Sequence, residues 1–381
     1  MNHFRHRIPC NVPSTIFRNI SRRVSGGNGS HKRTMLAWQI NAYGDNSNLK
    51  LAKTQIPVIT KKNQILVKVE AASINPIDFR MRDGYGATIF RQTRKFKDNV
   101  PEFPLTLGRD FSGVVAEAGK QVTHVKEGDD VWGMSYMKQG THAQYVLVEN
   151  DEIGAKPRNL SHVEAASIPY VAMTVWTALC TTAGLRPENY HGKHVLVHAG
   201  AGGIGSFAIQ LLKAWGAEVT TTCSSDAKQL VMDLGANHAV DYKTKNVKRE
   251  LRQIGKFDVI VDGVGGQTEE YSLGLLKHSS DAKYLSLRSP IMLETDSLGL
   301  VRGGVSAGLQ MIQKSVKLKN RFHWVFASPH KEALQHVQML VEKEQIKPVI
   351  DKIFAFSELP EAMAHVEMGR ARGKTVVDKF C

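Results

Sequence analysis

Between His194 and Val219 the chain reads HVLVHAGAGGIGSFAIQLLKAWGAEV. A short apolar run gives way to Gly200-x-Gly202-x-x-Gly205, and a helical pattern follows at once. Few local patterns restrict a fold as strongly. Glycines at these places let the backbone turn tightly and let a ligand lie against it without a Cβ in between. The free N–H groups at the start of the following helix then face an anion. Residues 194–198 read as a strand, 206–215 as the helix and 218–222 as a second strand, which together are one unit of a parallel dinucleotide-binding sheet. The bland alternative is a glycine-rich turn that binds nothing.

The surrounding sequence continues the alternation. Strands are predicted at 257–262 and 283–287, with a helix near 227–234, so the middle of the chain reads as a doubly wound parallel sheet. A helix rich in Ala, Thr and Val over 171–183 leads into it. Residues 35–165 read differently, as short strands (65–71, 111–119, 131–133 and 143–148) with Gly and Asp at the turns, a compact barrel-like pattern. The polar stretch 92–99 reads as an exposed loop. After about residue 328 come a helix (331–344), a strand (349–356), a helix (360–368) and a closing strand (375–377). Having no sheet of their own, these are expected to return to the first domain.

The 381 residues carry a formal charge of +14. The first 34 hold seven Lys or Arg and no Asp or Glu, so the rest of the chain has 43 basic against 36 acidic residues. An acid-free segment rich in Arg, Ser and Asn has the composition of a mitochondrial transit peptide; a basic arm is the alternative. The remaining charge comes with no basic–aromatic cluster, which argues against nucleic acid. No run of 18 uninterrupted apolar residues is present, so no transmembrane helix is indicated. Cys10, Cys180, Cys223 and Cys381 are scattered with no C-x-x-C, which supports neither a zinc ribbon nor a dithiol centre. His191, His194 and His198 have metal-like spacing, but a buried parallel strand has no room for an ion, and they read as structural or edge histidines.

The second strand of a NAD-binding unit ends on an acid that holds the ribose 2′-hydroxyl. Here its tip is Thr222-Cys223-Ser224-Ser225. Ser224, Ser225 and Lys228 suit a 2′-phosphate instead, so NADPH is the expected cofactor. Asp226 would repel that phosphate if it pointed inward.

Taken together, Asn75-Pro76-x-Asp78, Pro104-x-x-x-Gly108-x-Asp110-x-x-Gly113, Ala199 to Gly205, Leu234-Gly235-Ala236 with Asp241-Tyr242, and Arg372-Gly373-Lys374 resemble the zinc-free quinone oxidoreductase branch of the medium-chain dehydrogenase/reductase superfamily. The similarity spans nearly everything after residue 34. Residues 73–84, 213–215, 223–227 and 369–376 are most similar to a mitochondrial, reticulon-interacting group within that branch. The resemblance implies a transit peptide over 1–34, a GroES-like catalytic domain over 35–165, a Rossmann domain over 166–327, and a return to the catalytic domain over 328–381. It also implies a mitochondrial enzyme, in the matrix or on the matrix face of the inner membrane, linked to ubiquinone biosynthesis. A reticulon or other membrane-associated partner comes with it, and it leaves room for a homo-oligomer.

Carried over by position, Ala201, Gly203 and Ile204 face the pyrophosphate, Ser224 and Tyr242 hold the 2′-phosphate with Lys228, and Gly265 lines the nicotinamide ribose path. Gly263 stands where the most similar group has Asn. Zinc-using members of the superfamily hold their metal with a Cys and a Gly-His-Glu; here those places read Ser73-Ile74-Asn75 and Gly108-Arg109-Asp110, so no metal is expected. Hydride transfer to a quinone or enone then depends on donors that stabilise the oxygen as it gains charge. Asn75 and Tyr85 are the candidates, with Asp78 as orienter and Thr174 supporting the nicotinamide. Asn75-Pro76 and Asp78 could equally fix a turn in the cleft wall. The other function class is an NADPH-sensing scaffold whose turnover is incidental.

Overall fold

The computed structural model describes residues 33–98, 101–136, 138–243 and 246–380. The expected targeting segment lies outside the described residues except at its last two positions, and Cys10 and Cys381 lie outside them altogether. Residues from Thr34 onward form one unit.

Its middle is a six-stranded sheet, parallel throughout, in the spatial order His238–Asp241, Glu218–Cys223, His194–Val197, Val259–Asp262, Lys283–Ser286, Phe322–Trp324. Val195, Leu196 and Val197 are all fully buried. With each such side chain gaining about 2 kcal/mol on burial, a strand apolar on both faces belongs at the centre, covered by helices on both sides. The chain order reverses beside this strand, and ligands of doubly wound sheets bind in the crevice at that switch point.

The β-rich remainder forms a seven-stranded sheet and a three-stranded one. The strands Ile350–Ala355 and Lys374–Asp378 join the seven-stranded sheet, and Lys374–Asp378 lies antiparallel to Gln64–Ile74. The C-terminal tail therefore does return to the first sheet, as its lack of partners required. The stretch His162–Thr182 is long and apolar enough to cross a membrane by composition, but it is mostly buried. Val171, Ala172, Met173 and Val175 on it belong to the main core cluster.

One expectation is corrected. Residues 92–98 belong to the helix Ala87–Asp98, not to a loop. Phe90 and Arg94, one turn apart, are buried under it, and that spacing was hidden by the charged residues around it. The region 288–327, unread in the sequence, folds into the helices Pro290–Leu298 and Leu300–Lys317 and the edge strand Phe322–Trp324. Val301, Val305, Leu309, Ile312 and Val316 recur at helical spacing and lie exposed on the longer helix.

Candidate functional site

The glycine loop leaves the strand His194–Val197 at His198, whose ring is held between Thr222 Oγ1 at 3.0 Å and Ser272 Oγ at 2.8 Å. It is a satisfied structural histidine, and burial depresses its pKa to about 4. The sharp turn is made by Ala199, which has φ +55°; none of the glycines from 200 to 205 has positive φ. The glycines serve close approach instead. A Cβ on Gly200 would lie 2.0 Å from Thr221 Oγ1, one on Gly205 would lie 2.3 Å from the Ala199 carbonyl, and one on Gly203 would lie 2.8 Å from Lys374 Cδ. Only Gly202 faces open space, with a single neighbour at 3.4 Å. The helix begins earlier than its apolar pattern suggests, as Gly203–Ala214 with Gly202 as N-cap. The first-turn amides, which no helix satisfies internally, thus include those of Gly203, Ile204 and Gly205.

The loop is locked to the other sheet. Gly373 N–H donates to the Ala201 carbonyl at 2.8 Å, and Gly202 and Gly373 form a β-bridge. Beneath them lies a buried polar cluster. Asp110 Oδ2 accepts from Ser73 Oγ at 2.5 Å, from Asn75 Nδ2 at 2.8 Å and from Lys374 Nζ at 3.0 Å. Its Oδ1 accepts from the Tyr170 amide. Lys374 Nζ also donates to Asn75 Oδ1. Asp78 caps the helix Pro76–Arg82, accepting from the Asn75 amide at 2.7 Å, and burial pushes its pKa up to about 6.

These contacts revise the predicted catalytic set. Asn75 spends both ends of its amide on Asp110 and Lys374, and Asp78 orients the Asn75 backbone rather than the Tyr85 hydroxyl. The turn reading therefore describes this pair. Tyr85 lies apart, half-buried, in a cavity of about 490 Å³ with Gly265 and Arg288, and in a neighbouring one of about 140 Å³. Burial raises its phenol pKa, so the hydroxyl keeps its proton. Thr174 donates its hydroxyl to the Tyr170 carbonyl at 2.7 Å, and Tyr170 and Val171 take its expected place in the cleft wall.

That cleft, about 260 Å³, runs between Asn75 and Pro76 on one side and Val197 to Gly205 with Gly263 on the other. A larger cavity of about 630 Å³ lies elsewhere, beside the strand Thr34–Ile40, and shares no lining residue with the cleft. Just beyond the end of the strand Glu218–Cys223, Ser225 and Lys228 are exposed and Ser224 partly so, while Tyr242 is 55% exposed. Asp226 is held below its ordinary pKa by a hydrogen bond from Ser224 and by Arg372, which pairs with it directly. The acid that threatened the phosphate reading is thus charge-compensated. Among the described residues no three His, Cys, Asp or Glu side chains are placed to hold a metal. Sequence reasoning missed Arg109, Tyr170 and Lys374. Lys374 stood in a quoted motif, but only the fold brings it to Asp110, 264 residues away in the chain.

Known proteins share this arrangement. Residues 61–158 match the family described as alcohol dehydrogenase GroES-like domain, and residues 234–377 match the family described as zinc-binding dehydrogenase. The zebrafish (Danio rerio) protein named NAD(P)H oxidoreductase RTN4IP1, mitochondrial, is 44% identical over 91% of this chain and 92% of its own length. The 2-methylene-furan-3-one reductase of Solanum lycopersicum is 34% identical over 90% of this chain and 79% of its own. The solved quinone oxidoreductase of Coxiella burnetii is 31% identical and superposes with a TM-score of 0.73, covering 91% of this chain and all of that one. A parallel sheet with its glycine loop locked to a GroES-like domain, and relatives matched over nearly the whole length, place the chain in the medium-chain dehydrogenase/reductase superfamily, in its family of mitochondrial NAD(P)H oxidoreductases.

Proposed function

We propose that the protein is a mitochondrial, NADPH-dependent and zinc-independent oxidoreductase that passes hydride to a quinone or enone in a step linked to ubiquinone biosynthesis. The observation that carries this reading is the cleft at the switch point of the parallel sheet, open above Gly202 and continuous in its Tyr170 wall with the cavity of Tyr85. The residues fit a dinucleotide. A Cβ at Gly202 would fill the cradle where a pyrophosphate approaches, and the helix N-terminus supplies amides and a favourable dipole. Ser224, Ser225, Lys228 and Tyr242 form the rim for the adenosine 2′-phosphate, and Arg372 adds a guanidinium there.

When bound, the nicotinamide supplies a hydride from its C4. The chain's own part is positioning and charge. Lys374, Asn75 and Asp110 tie together neighbouring strands of the seven-stranded sheet, and Gly373 links that sheet to the glycine loop. Tyr85, protonated at neutral pH, donates to the acceptor oxygen as it gains charge, and solvent later returns the proton. Ser73 and Asp110, at places where metal-using relatives keep ligands, are bonded to each other and to Lys374, which leaves them occupied without an ion. The association with reticulon or another membrane-associated partner, and self-association, belong to the same proposal by resemblance.

A second reading is an NADPH-sensing scaffold, favoured by one observation: apart from Tyr85, every predicted catalytic side chain is bonded within the protein. One experiment separates them. In titrations NADPH binds at least tenfold tighter than NADH, a difference of about 1.4 kcal/mol. NADPH is oxidised by members of a quinone and enone panel, and exhaustive chelation leaves the rate unchanged. Equal affinities overturn the cofactor choice, loss of rate with the chelator overturns zinc independence, and no turnover with any acceptor hands the site to the scaffold reading.

A further inference from the structure

The helix Leu300–Lys317 turns its small residues inward and its large apolar ones outward. Gly303 and Ala307 are buried, and a Cβ on Gly303 would lie 2.3 Å from the Glu294 carbonyl of the helix Pro290–Leu298. Ser306 and Gln310 donate to the Glu294 carboxylate at 2.8 and 2.9 Å, which fastens the two helices together. At about 100° per residue, Val301, Val305, Leu309, Ile312 and Val316 fall on the side opposite Gly303 and Ala307. They are between 55% and 77% exposed. The result is an apolar face about 22 Å long. Large apolar side chains in the open along one line mark an interaction site rather than scattered surface.

The charge around this face is one-sided. From residue 299 to 321 the sequence has five Lys or Arg and no Asp or Glu. Lys314 is spent on Glu269, and Arg321 donates to the Lys277 carbonyl. Arg302 stands at one end of the stripe and Lys317 and Lys319 at the other, all exposed. The acids of the neighbouring helix are turned into the protein, Glu294 as above and Asp296 onto the amides of Gly86 and Thr88. This pattern chooses between occupants. A second copy of the same face would set cation against cation. A bilayer with anionic headgroups offers acyl chains to the stripe and phosphates to the three cations. The same helices reach the candidate site: Leu293, Gln310 and Lys314 line the cavity of about 490 Å³ that holds Tyr85.

We propose that the helix Leu300–Lys317 is a membrane-seating face that lies on an anionic lipid bilayer, with the Tyr85 cavity beside the lipid so that an acceptor dissolved there enters directly. The lipid contact stands without the oxidoreductase reading; the entry of an acceptor rests on it.

The test is flotation with vesicles of phosphatidylcholine, alone or mixed with phosphatidylglycerol. The full chain is run beside the chain from Thr34 onward, which forms one unit. The shorter chain decides, because the first 34 residues are basic in their own right. It partitions onto anionic vesicles at least tenfold more strongly than onto neutral ones, and high salt removes most of the difference. Leu309→Glu with Ile312→Glu alters positions already in the open and cuts binding at least tenfold. Arg302→Gln with Lys317→Gln and Lys319→Gln cuts it on the order of a hundredfold, each cation contributing roughly fivefold. NADPH affinity, unchanged in both variants, shows that the fold stands; should one variant fail to fold, the other still reports the face. No binding, equal binding to both kinds of vesicle, or binding that neither set of substitutions changes overturns the proposal. A dimer in sedimentation that Leu309→Glu with Ile312→Glu breaks, without vesicle binding, assigns the face to a second copy instead. Vesicle binding without turnover of any quinone or enone keeps the lipid contact and removes the acceptor's entry. Turnover of a water-soluble quinone without vesicle binding keeps the oxidoreductase reading and overturns the membrane seat.

Discussion

Tyr170 and Leu287 are a shared wall between two neighbouring spaces, the glycine-loop cleft and the Arg109 cavity, and the two are finished in opposite ways. Around the cleft the protein satisfies its own polar groups: Asp110 is bonded by Ser73, Asn75, Lys374 and the Tyr170 amide, and His198 by Thr222 and Ser272. Behind the cavity wall, Arg109 Nε and Nη2 and Asp78 Oδ1 are left without partners. A closed network holds a geometry whether or not a ligand is present, whereas an open one costs stability until something fills it. The first space is held by a closed network, and the second lies against an open one.

The largest way to break this contrast is Lys374→Met. Removing the cation strands the Asp110 carboxylate in the core and is expected to cost on the order of 3 kcal/mol of stability, read as a lower urea midpoint. An unchanged midpoint would mean that the closed network is not what holds these strands of the seven-stranded sheet together. Tyr85→Phe probes the open side. It should lower kcat on the order of 10² and leave NADPH affinity nearly intact; an unaltered kcat makes Tyr85 part of the wall, with acceleration coming from positioning.

Acid should loosen the closed network first. His198 and His142 have folded pKa values depressed by burial to about 4 and about 3, from 6.5. Because their folded values lie below the unfolded one, their stabilisation is complete above pH 6.5 and is lost as the pH falls from there towards 4 and then 3. Asp78, raised to about 6, works in the opposite sense below pH 6, since the folded state then takes up the proton first. The net loss between pH 7 and 4 is roughly 4 kcal/mol. A urea midpoint flat over that range would show that these histidines are not sealed. The smallest effect sharpens the picture within the loop. Gly202→Ala adds a Cβ with one neighbour at 3.4 Å, so the thermal midpoint should hold while NADPH affinity drops about tenfold, or about 1.4 kcal/mol. Gly200→Ala, aimed at Thr221 Oγ1, should instead lower the thermal midpoint.

Legibility in the sequence followed the range of the interactions. The strands and helices from His194 to Ser286, the β-rich first part and the returning tail could be read because periodicity and turn residues are local signals. The helix Ala87–Asp98 was obscured because one of its two inward residues is an arginine, which a hydrophobic pattern does not count. The longer helix of 290–317 carries an apolar stripe at helical spacing in the sequence, and what only the fold decides is that this stripe stays in the open. Within the site, the tip at Ser224 and Ser225 was legible, but Asn75 and Asp78 were placed beside Tyr85 on the strength of proximity in the chain. The fold turns Asn75 towards Asp110 and Lys374 instead.

By itself the sequence determined the parallel sheet, the glycine loop at its switch point, and the absence of an acid at the tip of the second strand. Each is a matter of residue type at fixed local spacing. The tertiary structure alone decided which polar groups are spent and which are idle. Asp110 and Lys374 come together only when strands far apart in the chain pair in one sheet, Lys374–Asp378 beside Gln64–Ile74 beside Asp110–Ala118, and hydrogen-bond satisfaction depends on that pairing rather than on any neighbour in the chain.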